Sequence, residues 1–256
     1  MQIRGFEAAP IPEWQRFIAP SGDWAIPPFK AHHMRFKMKP RQAVLLSFAV
    51  IAACIISYEV FDAPAARFCA TVDYRIRDIF DLITRLGLST PYLAAALAGF
   101  IYLRFVKKNK ILATAAAFLF AAVAISGLAN DLVKVLAGRS RPGLLFSHGV
   151  YGFKPFTNQY NYASFPSGHA NTIAALCYGL GVVTGRFKYI RLSIALAVMA
   201  SRVIVGAHFP SDVLFGAYLG VVVTELIAVS FEKKGLVITL QPEKAQPQPV
   251  EKTDAV

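Results

Sequence analysis

Apolar positions in this chain come in long, nearly unbroken runs, not in the alternating or every-third-or-fourth patterns of soluble strands and helices. Six runs stand out: about Ala43 to Phe61, Pro91 to Phe105, Ile111 to Asn130, Ala170 to Gly185, Ile190 to Ala207 and Asp212 to Phe231. Runs of roughly 17–20 residues are what a helix needs to cross a bilayer core. The pattern predicts an all-α polytopic membrane protein with six transmembrane helices, built as one domain over residues 43–231. The second run is short, and its helix can begin nearer Leu86. Residues 62–90 carry mixed charge and read as a loop holding one short surface helix near Asp73-Tyr74-Arg75-Ile76-Arg77-Asp78. Residues 1–42 place Trp14, Trp24, Pro27 and Pro28 among polar residues and end in the cluster Lys30, Arg35, Lys37, Lys39 and Arg41. That combination reads as a cytoplasmic interfacial segment, not a signal peptide. Residues 232–256, rich in Pro, Gln and charge, read as a disordered cytoplasmic tail.

Charge adds an orientation. The net charge is +12 and the pI near 9.8. On a soluble protein that would point to nucleic acid. Here 55% of residues are hydrophobic and mean hydropathy is +0.47. A membrane therefore accounts for the basic excess, and nucleic acid is not expected as a partner. With a cytoplasmic N-terminus and six spans, 18 of the 27 Lys and Arg fall on the inner side. The bias favours both termini inside. It places the loop after the third span, the start of the fourth and the junction of the fifth and sixth on the outer side. Cys54, Cys69 and Cys177 show no metal-binding spacing and read as unpaired thiols, with Cys69 in the polar loop.

Three short motifs lie in those outer segments. The first is Lys134-Val-Leu-Ala-Gly-Arg139-Ser-Arg141-Pro142. Lys134 and Arg141 are seven apart, about two helical turns, so they can share a face. Gly138 and Pro142 signal that the helix ends within the stretch. The second is Phe165-Pro166-Ser167-Gly168-His169, directly before an apolar run. Ser167 is a candidate N-cap, Gly168 permits close backbone approach, and the first helix amides form an anion site. The third is Ser201-Arg202 followed by His208 and by Asp212 four residues on, with Pro210 suited to a first helical turn. A carboxylate beside an imidazole fixes its tautomer and supports its charge. Each motif alone is an ordinary span-end feature. Eleven fixed positions at about one in twenty each make their joint occurrence by chance on the order of 10^-14.

The three motifs, in this order, resemble the type-2 phosphatidic acid phosphatase and vanadium haloperoxidase superfamily, whose pattern is Lys-x6-Arg-Pro, Pro-Ser-Gly-His and Ser-Arg-x5-His-x3-Asp. The resemblance covers about residues 90–230 and implies a membrane lipid phosphatase with its site at the outer helix ends. It implies that His208 is the nucleophile and forms a phosphohistidine, that Asp212 orients and activates it, and that His169 is the general acid. Lys134, Arg141, Ser167, Gly168 and Arg202 would bind the phosphoryl oxygens. Phosphoryl transfer needs positioning and charge stabilisation above all. Three cations and a helix N-terminus can supply these, so no metal and no cofactor are expected. Arg139 and Lys154 are candidate headgroup contacts and favour a lipid phosphate substrate of extra negative charge. Lipid A phosphate, undecaprenyl diphosphate, phosphatidylglycerol phosphate and phosphatidic acid all stay open, as do transfer to a second acceptor and, less in keeping with the motifs, a non-catalytic transporter. The resemblance and the charge bias together imply the bacterial inner membrane with a periplasmic site.

Overall fold

The structure is a computed structural model that describes residues 40–240 of the 256. The interfacial segment expected over 1–42, and the part of the expected tail beyond 240, lie almost wholly outside the described residues. Among the described residues nine α-helices follow one another: α1 Pro40–Ile56, α2 Asp62–Ala70, α3 Tyr74–Thr84, α4 Ser89–Ile101, α5 Lys110–Ala137, α6 Pro142–His148, α7 Gly168–Thr184, α8 Lys188–Ile204 and α9 Pro210–Lys233. The only extended pairing among the described residues is an isolated bridge between Arg139 and Phe153. The all-α class therefore holds.

Among the described residues four helical stretches are long and apolar enough to cross a membrane: Arg41–Ala70, Tyr74–Val106, Lys110–Ala137 and Pro210–Lys233. The first two differ from expectation. The mixed-charge stretch 62–90 is not a loop. A π-helical segment, Ser57–Phe61, joins α1 to α2 without a break, and α3 runs into α4 through a 3-10 turn at Arg85–Gly87. Charge did not stop these helices, because Asp62 turns into the protein and is fully buried. Cys69 is likewise buried within α2 and not in a polar loop, and all three cysteines are free. Helices α7 and α8 have 17 residues each, enough for about 25 Å at the helical rise.

Helix α7 is the centre of the bundle and packs on α5, α8 and α9. Its contact with α9 is made by backbone. A Cβ on Gly216 would lie 2.5 Å from the Ser167 carbonyl oxygen, and one on Gly220 would collide with the Asn171 carbonyl. Small residues four apart let two helices approach in this way. Here they press the N-terminus of α7 against the N-terminus of α9. The outer faces of α1 to α4 expose Leu45, Phe48, Phe68, Ile79, Leu82, Leu97 and Ile101, as helices facing hydrocarbon do.

The chain after α9 also departs from expectation. Within the stretch assigned to the tail, α9 continues to Lys233, and residues 236–240 then lie across the bundle. The Leu240 amide donates to the Val183 carbonyl (2.8 Å), and Ile238 packs with Phe118, Val183 and Ile227.

Candidate active site

The three motifs meet at one end of the bundle, where α5 and α8 finish and α7 and α9 begin. Helix α5 stops at Ala137 because Gly138 takes a left-handed conformation (φ 61°), and its amide bonds back to the Lys134 carbonyl. Arg141 is therefore not on α5. It precedes α6 in extended backbone, with Pro142 at the first helical position. Lys134 and Arg141 come together by a chain reversal, not by the shared helical face that their spacing suggests. Strand-like backbone bonds lace this reversal to the loop that follows α6: Lys154 to Gly138 (2.7 Å), Ser140 to Gly152 (2.9 Å) and Ser164 to Arg139 (3.0 Å).

Ser167 caps α7, its hydroxyl accepting from the Ala170 amide at 3.5 Å. Lys134 Nζ donates to the Pro166 carbonyl at 2.6 Å and lies against Gly168, 3.6 Å from where a Cβ would stand. An ammonium and the open first turn of a helix thus share one spot. His169, half-buried, packs on Gly87, where any side chain would overlap its ring. Arg202, at the end of α8, donates to Thr84 Oγ1 (2.6 Å), while its Nε is buried with no protein partner. Arg141 is steadied by the Tyr160 carbonyl (3.0 Å) and by the face of the Tyr160 ring (4.0 Å). It also lines an open polar cleft of about 480 Å³ with Ser147, His148, Tyr160 and Asn161.

His208 is buried in the turn between α8 and α9, and Nδ1 lies 2.7 Å from the Ser164 carbonyl oxygen. A carbonyl only accepts, so Nδ1 carries the proton and the lone pair of the neutral ring is on Nε2. Burial pushes the ring's pKa well below the ordinary histidine range. The cations Arg141, Arg202 and Lys134 push the same way, and the Ser164 bond opposes them. The ring is neutral at neutral pH.

Asp212 stands 3.9 Å from Nδ1, beyond hydrogen-bond length. Its Oδ2 instead accepts from Ser164 Oγ (2.6 Å) and from the Phe209 amide (2.8 Å). It reaches His208 mainly through Ser164, a residue that the sequence reading did not single out. Oδ1 accepts from Arg139 Nη1 at 2.5 Å, and Arg139 Nη2 donates to Asp62 at 2.7 Å. This corrects the expectation for Arg139. It is 1% exposed, held between two carboxylates and ringed by Tyr58, Tyr151, Phe153 and Phe209. Both arms of its guanidinium are taken by the buried carboxylates Asp62 and Asp212, so it contacts the interior and not a headgroup. Lys154 is exposed beside the Tyr162 ring. Among the described residues no three His, Cys, Asp or Glu side chains are grouped to share a metal ion.

Residues 115–236 match the PAP2 superfamily. The chain is 31% identical to the lipid A 1-phosphatase of Rhizobium johnstonii, over 80% of this chain and 88% of that protein. In fold it is similar to a transmembrane PAP2-type phosphatidylglycerolphosphate phosphatase from Bacillus subtilis (TM-score 0.54, 23% identity, 76% of this chain and 96% of that one). It is similar also to LpxE of Aquifex aeolicus (TM-score 0.50, 20% identity, 66% and 96%). With the motifs gathered at one helix end and a relative matched along most of its length, the chain belongs to the PAP2 superfamily and is a membrane phosphatase of that family.

Proposed function

We propose that this protein hydrolyses a phosphate on the headgroup of a lipid A-type saccharolipid, at the periplasmic face of a bacterial inner membrane, through a phosphohistidine on His208. The observation that carries the substrate class is the 31% identity to a lipid A 1-phosphatase, which spans 88% of that protein. The polar cleft beside Arg141 supports it, since a sugar headgroup needs hydroxyl and amide partners such as Ser147, Asn161 and Tyr160. The periplasmic assignment rests on the charge bias, with α7 and α8 as the fourth and fifth of six spans, added to the four long helical stretches.

In this reading His208 Nε2 attacks phosphorus while the bond to the leaving lipid oxygen breaks. His169 donates its proton to that oxygen. Lys134, Arg141, Arg202 and the first amides of α7, with Ser167 and Gly168, hold the three equatorial oxygens. Water, giving its proton back to His169, then splits the nitrogen–phosphorus bond and releases phosphate. Fixed cations and dipoles aimed at developing charge are the main source of rate in such a site. The reaction is expected to run without added metal or cofactor.

The test is phosphate release by the full-length protein in detergent with EDTA. The substrates are a phosphorylated diglucosamine lipid, phosphatidylglycerol phosphate, undecaprenyl diphosphate and phosphatidic acid. The saccharolipid should be turned over fastest, and His208→Ala should lose at least about a thousandfold in kcat. A faster rate on another lipid rejects the substrate class. Near-normal activity in His208→Ala rejects the nucleophile, and dependence on magnesium rejects the cation site. Labelled phosphate appearing on an added alcohol would favour transfer over hydrolysis.

A further inference from the structure

The cationic half of the site is matched by a buried acidic half that no motif position accounts for in full. Asp62, Arg139 and Asp212 form a chain of charges, none more than 1% exposed. Asp62 lies outside the residues matched to the family. Arg139 falls between the fixed positions of the first motif.

We propose that Asp62 and Arg139 are positioning residues for the nucleophile: together they hold Asp212 in place and leave one uncompensated negative charge behind the His208 ring. The proposal rests on the reading of His208 as the nucleophile.

Every side-chain polar atom of Asp62, Arg139 and Asp212 has a partner that fixes its direction, apart from Arg139 Nε, which is buried among the aromatic rings. Asp62 Oδ1 accepts from Ser57 Oγ (2.7 Å) and from the Ser211 amide (3.0 Å). Asp62 Oδ2 accepts from Arg139 Nη2 (2.7 Å) and from Ser211 Oγ. Arg139 Nη1 reaches Ser211 Oγ (2.6 Å) and Asp212 Oδ1 (2.5 Å). Tyr151 donates to the Tyr58 carbonyl (2.5 Å) and stacks on the Tyr58 ring, closing the cage over the guanidinium. Asp212 Oδ2 then holds Ser164, whose carbonyl holds His208 Nδ1.

The charge count gives the chain its chemical meaning. One guanidinium between two carboxylates leaves a net charge of minus one. The ring also lies within the field of the cations Lys134, Arg141 and Arg202. When Nε2 bonds to phosphorus and the lipid oxygen leaves with a proton from His169, the ring still carries Nδ1–H and becomes cationic. Burial and three nearby cations oppose that charge, and the buried minus one offsets it. If Asp62 were absent, Arg139 would neutralise Asp212 and the offset would vanish. Asp62 engages the second arm of Arg139 and so leaves the charge of Asp212 for the ring.

The test is a charge cycle in full-length protein, read by the single-turnover rate of phosphoenzyme formation, with KM and melting temperature measured in parallel. Asp62→Asn makes the cluster neutral and should slow phosphorylation by roughly 30- to 100-fold with KM within about 2-fold. Asp62→Asn combined with Arg139→Met restores the net charge of minus one and removes the buried pair together, a change that folds tolerate. It should recover at least about 5-fold of the lost rate. A merely structural role for Asp62 predicts no such recovery. The proposal is overturned if folded Asp62→Asn phosphorylates within about 2-fold of wild type. It is overturned also if the double variant is as slow as Asp62→Asn. If Asp62→Asn does not fold, the double variant decides alone, and a rate within about 10-fold of wild type is required. His208→Ala in the same assay isolates the underlying reading, since phosphoenzyme in that variant would reject the nucleophile and not the positioning chain.

Discussion

Arg139 and Arg141 are two residues apart in one motif, yet they end in opposite kinds of surroundings. Arg141 is half-buried, steadied by the Tyr160 and Ala163 carbonyls and one ring, and open to a polar cleft. Arg139 is sealed, with both arms on carboxylates and four aromatic rings around it. A regular extended strand would set residues two apart on the same face, so the division comes from the partners: Asp62 and Asp212 draw Arg139 inward, and the Tyr160 and Ala163 carbonyls hold Arg141 at the cleft. On one side lies a cup of cations for phosphate. On the other lies a clamp that holds the carboxylate behind His208. Identical side chains acquire different roles from what surrounds them: a guanidinium among carboxylates is structural, and a guanidinium with few partners is a receptor.

The strongest way to break this comparison is to shorten each arginine in turn. Arg141→Lys keeps the charge but loses the fork that phosphate recognition uses. It should lower kcat/KM by roughly 10- to 100-fold, with a melting temperature within about 1 °C of wild type. Arg139→Lys leaves one of two buried carboxylates without its partner. Breaking a buried pair costs about 3–5 kcal/mol, so the melting temperature should fall by several degrees, with activity following the folded fraction and the disturbed Asp212. If both variants lose activity alone, or both lose stability alone, the division of the site is wrong.

The sequence announced the cup and hid the clamp for a physical reason. Lys134, Arg141, Ser167, Gly168, His169, Arg202, His208 and Asp212 are read from local spacing, because each motif is a short stretch at a helix end or at the junction of two helices. The structure gathers them as those caps require, Ser167 capping α7 and Pro210 opening α9. Asp62, Ser164, Ser211 and Thr84 act across long stretches of chain, which no local spacing reports. A usable signal did exist for Asp62. It follows an apolar run directly, and an ionisable residue within a span is a functional candidate by default. Reading 62–90 as a loop removed that signal, since a loop carboxylate is ordinary. The same misreading placed Cys69 in a polar loop. The packing of Ile238 and Leu240 was invisible because a short apolar stretch after a charged helix end has no periodicity to read.

A pH titration sharpens the contrast more gently. Burial, and the cations of the cup, hold the His208 pKa well below its ordinary value near 6.5. The acid limb of kcat/KM that reports His208 should therefore lie well below pH 6.5. The stability linkage has the same sign. The unfolded chain binds the proton first as pH falls. The folded state therefore keeps its full contribution above about pH 6.5 and loses it progressively below, by up to about 1.4 kcal/mol per pH unit. Melting scans between pH 7.5 and 5 should show this loss, and His208→Asn should flatten it. An acid limb at or above pH 6.5 would mean that the cup does not act on the ring.

The smallest effect is expected at Lys154, and it tests where the cup ends. Its backbone amide helps to hold the turn at Gly138 (2.7 Å), but its side chain is exposed beside Tyr162. Lys154→Ala keeps the amide and removes only a solvated charge. Exposed charges act weakly and are screened by salt. Accordingly KM for a phosphorylated diglucosamine lipid should rise by no more than about 3-fold at low salt, with kcat unchanged and the difference gone by about 0.5 M salt. A loss of kcat, or one that salt leaves intact, would extend the cup to Lys154 and make it a phosphate ligand alongside Arg141. A change in melting temperature would mean instead that the side chain braces the loop, and the boundary between receptor and frame would then run through residue 154 and not between 139 and 141.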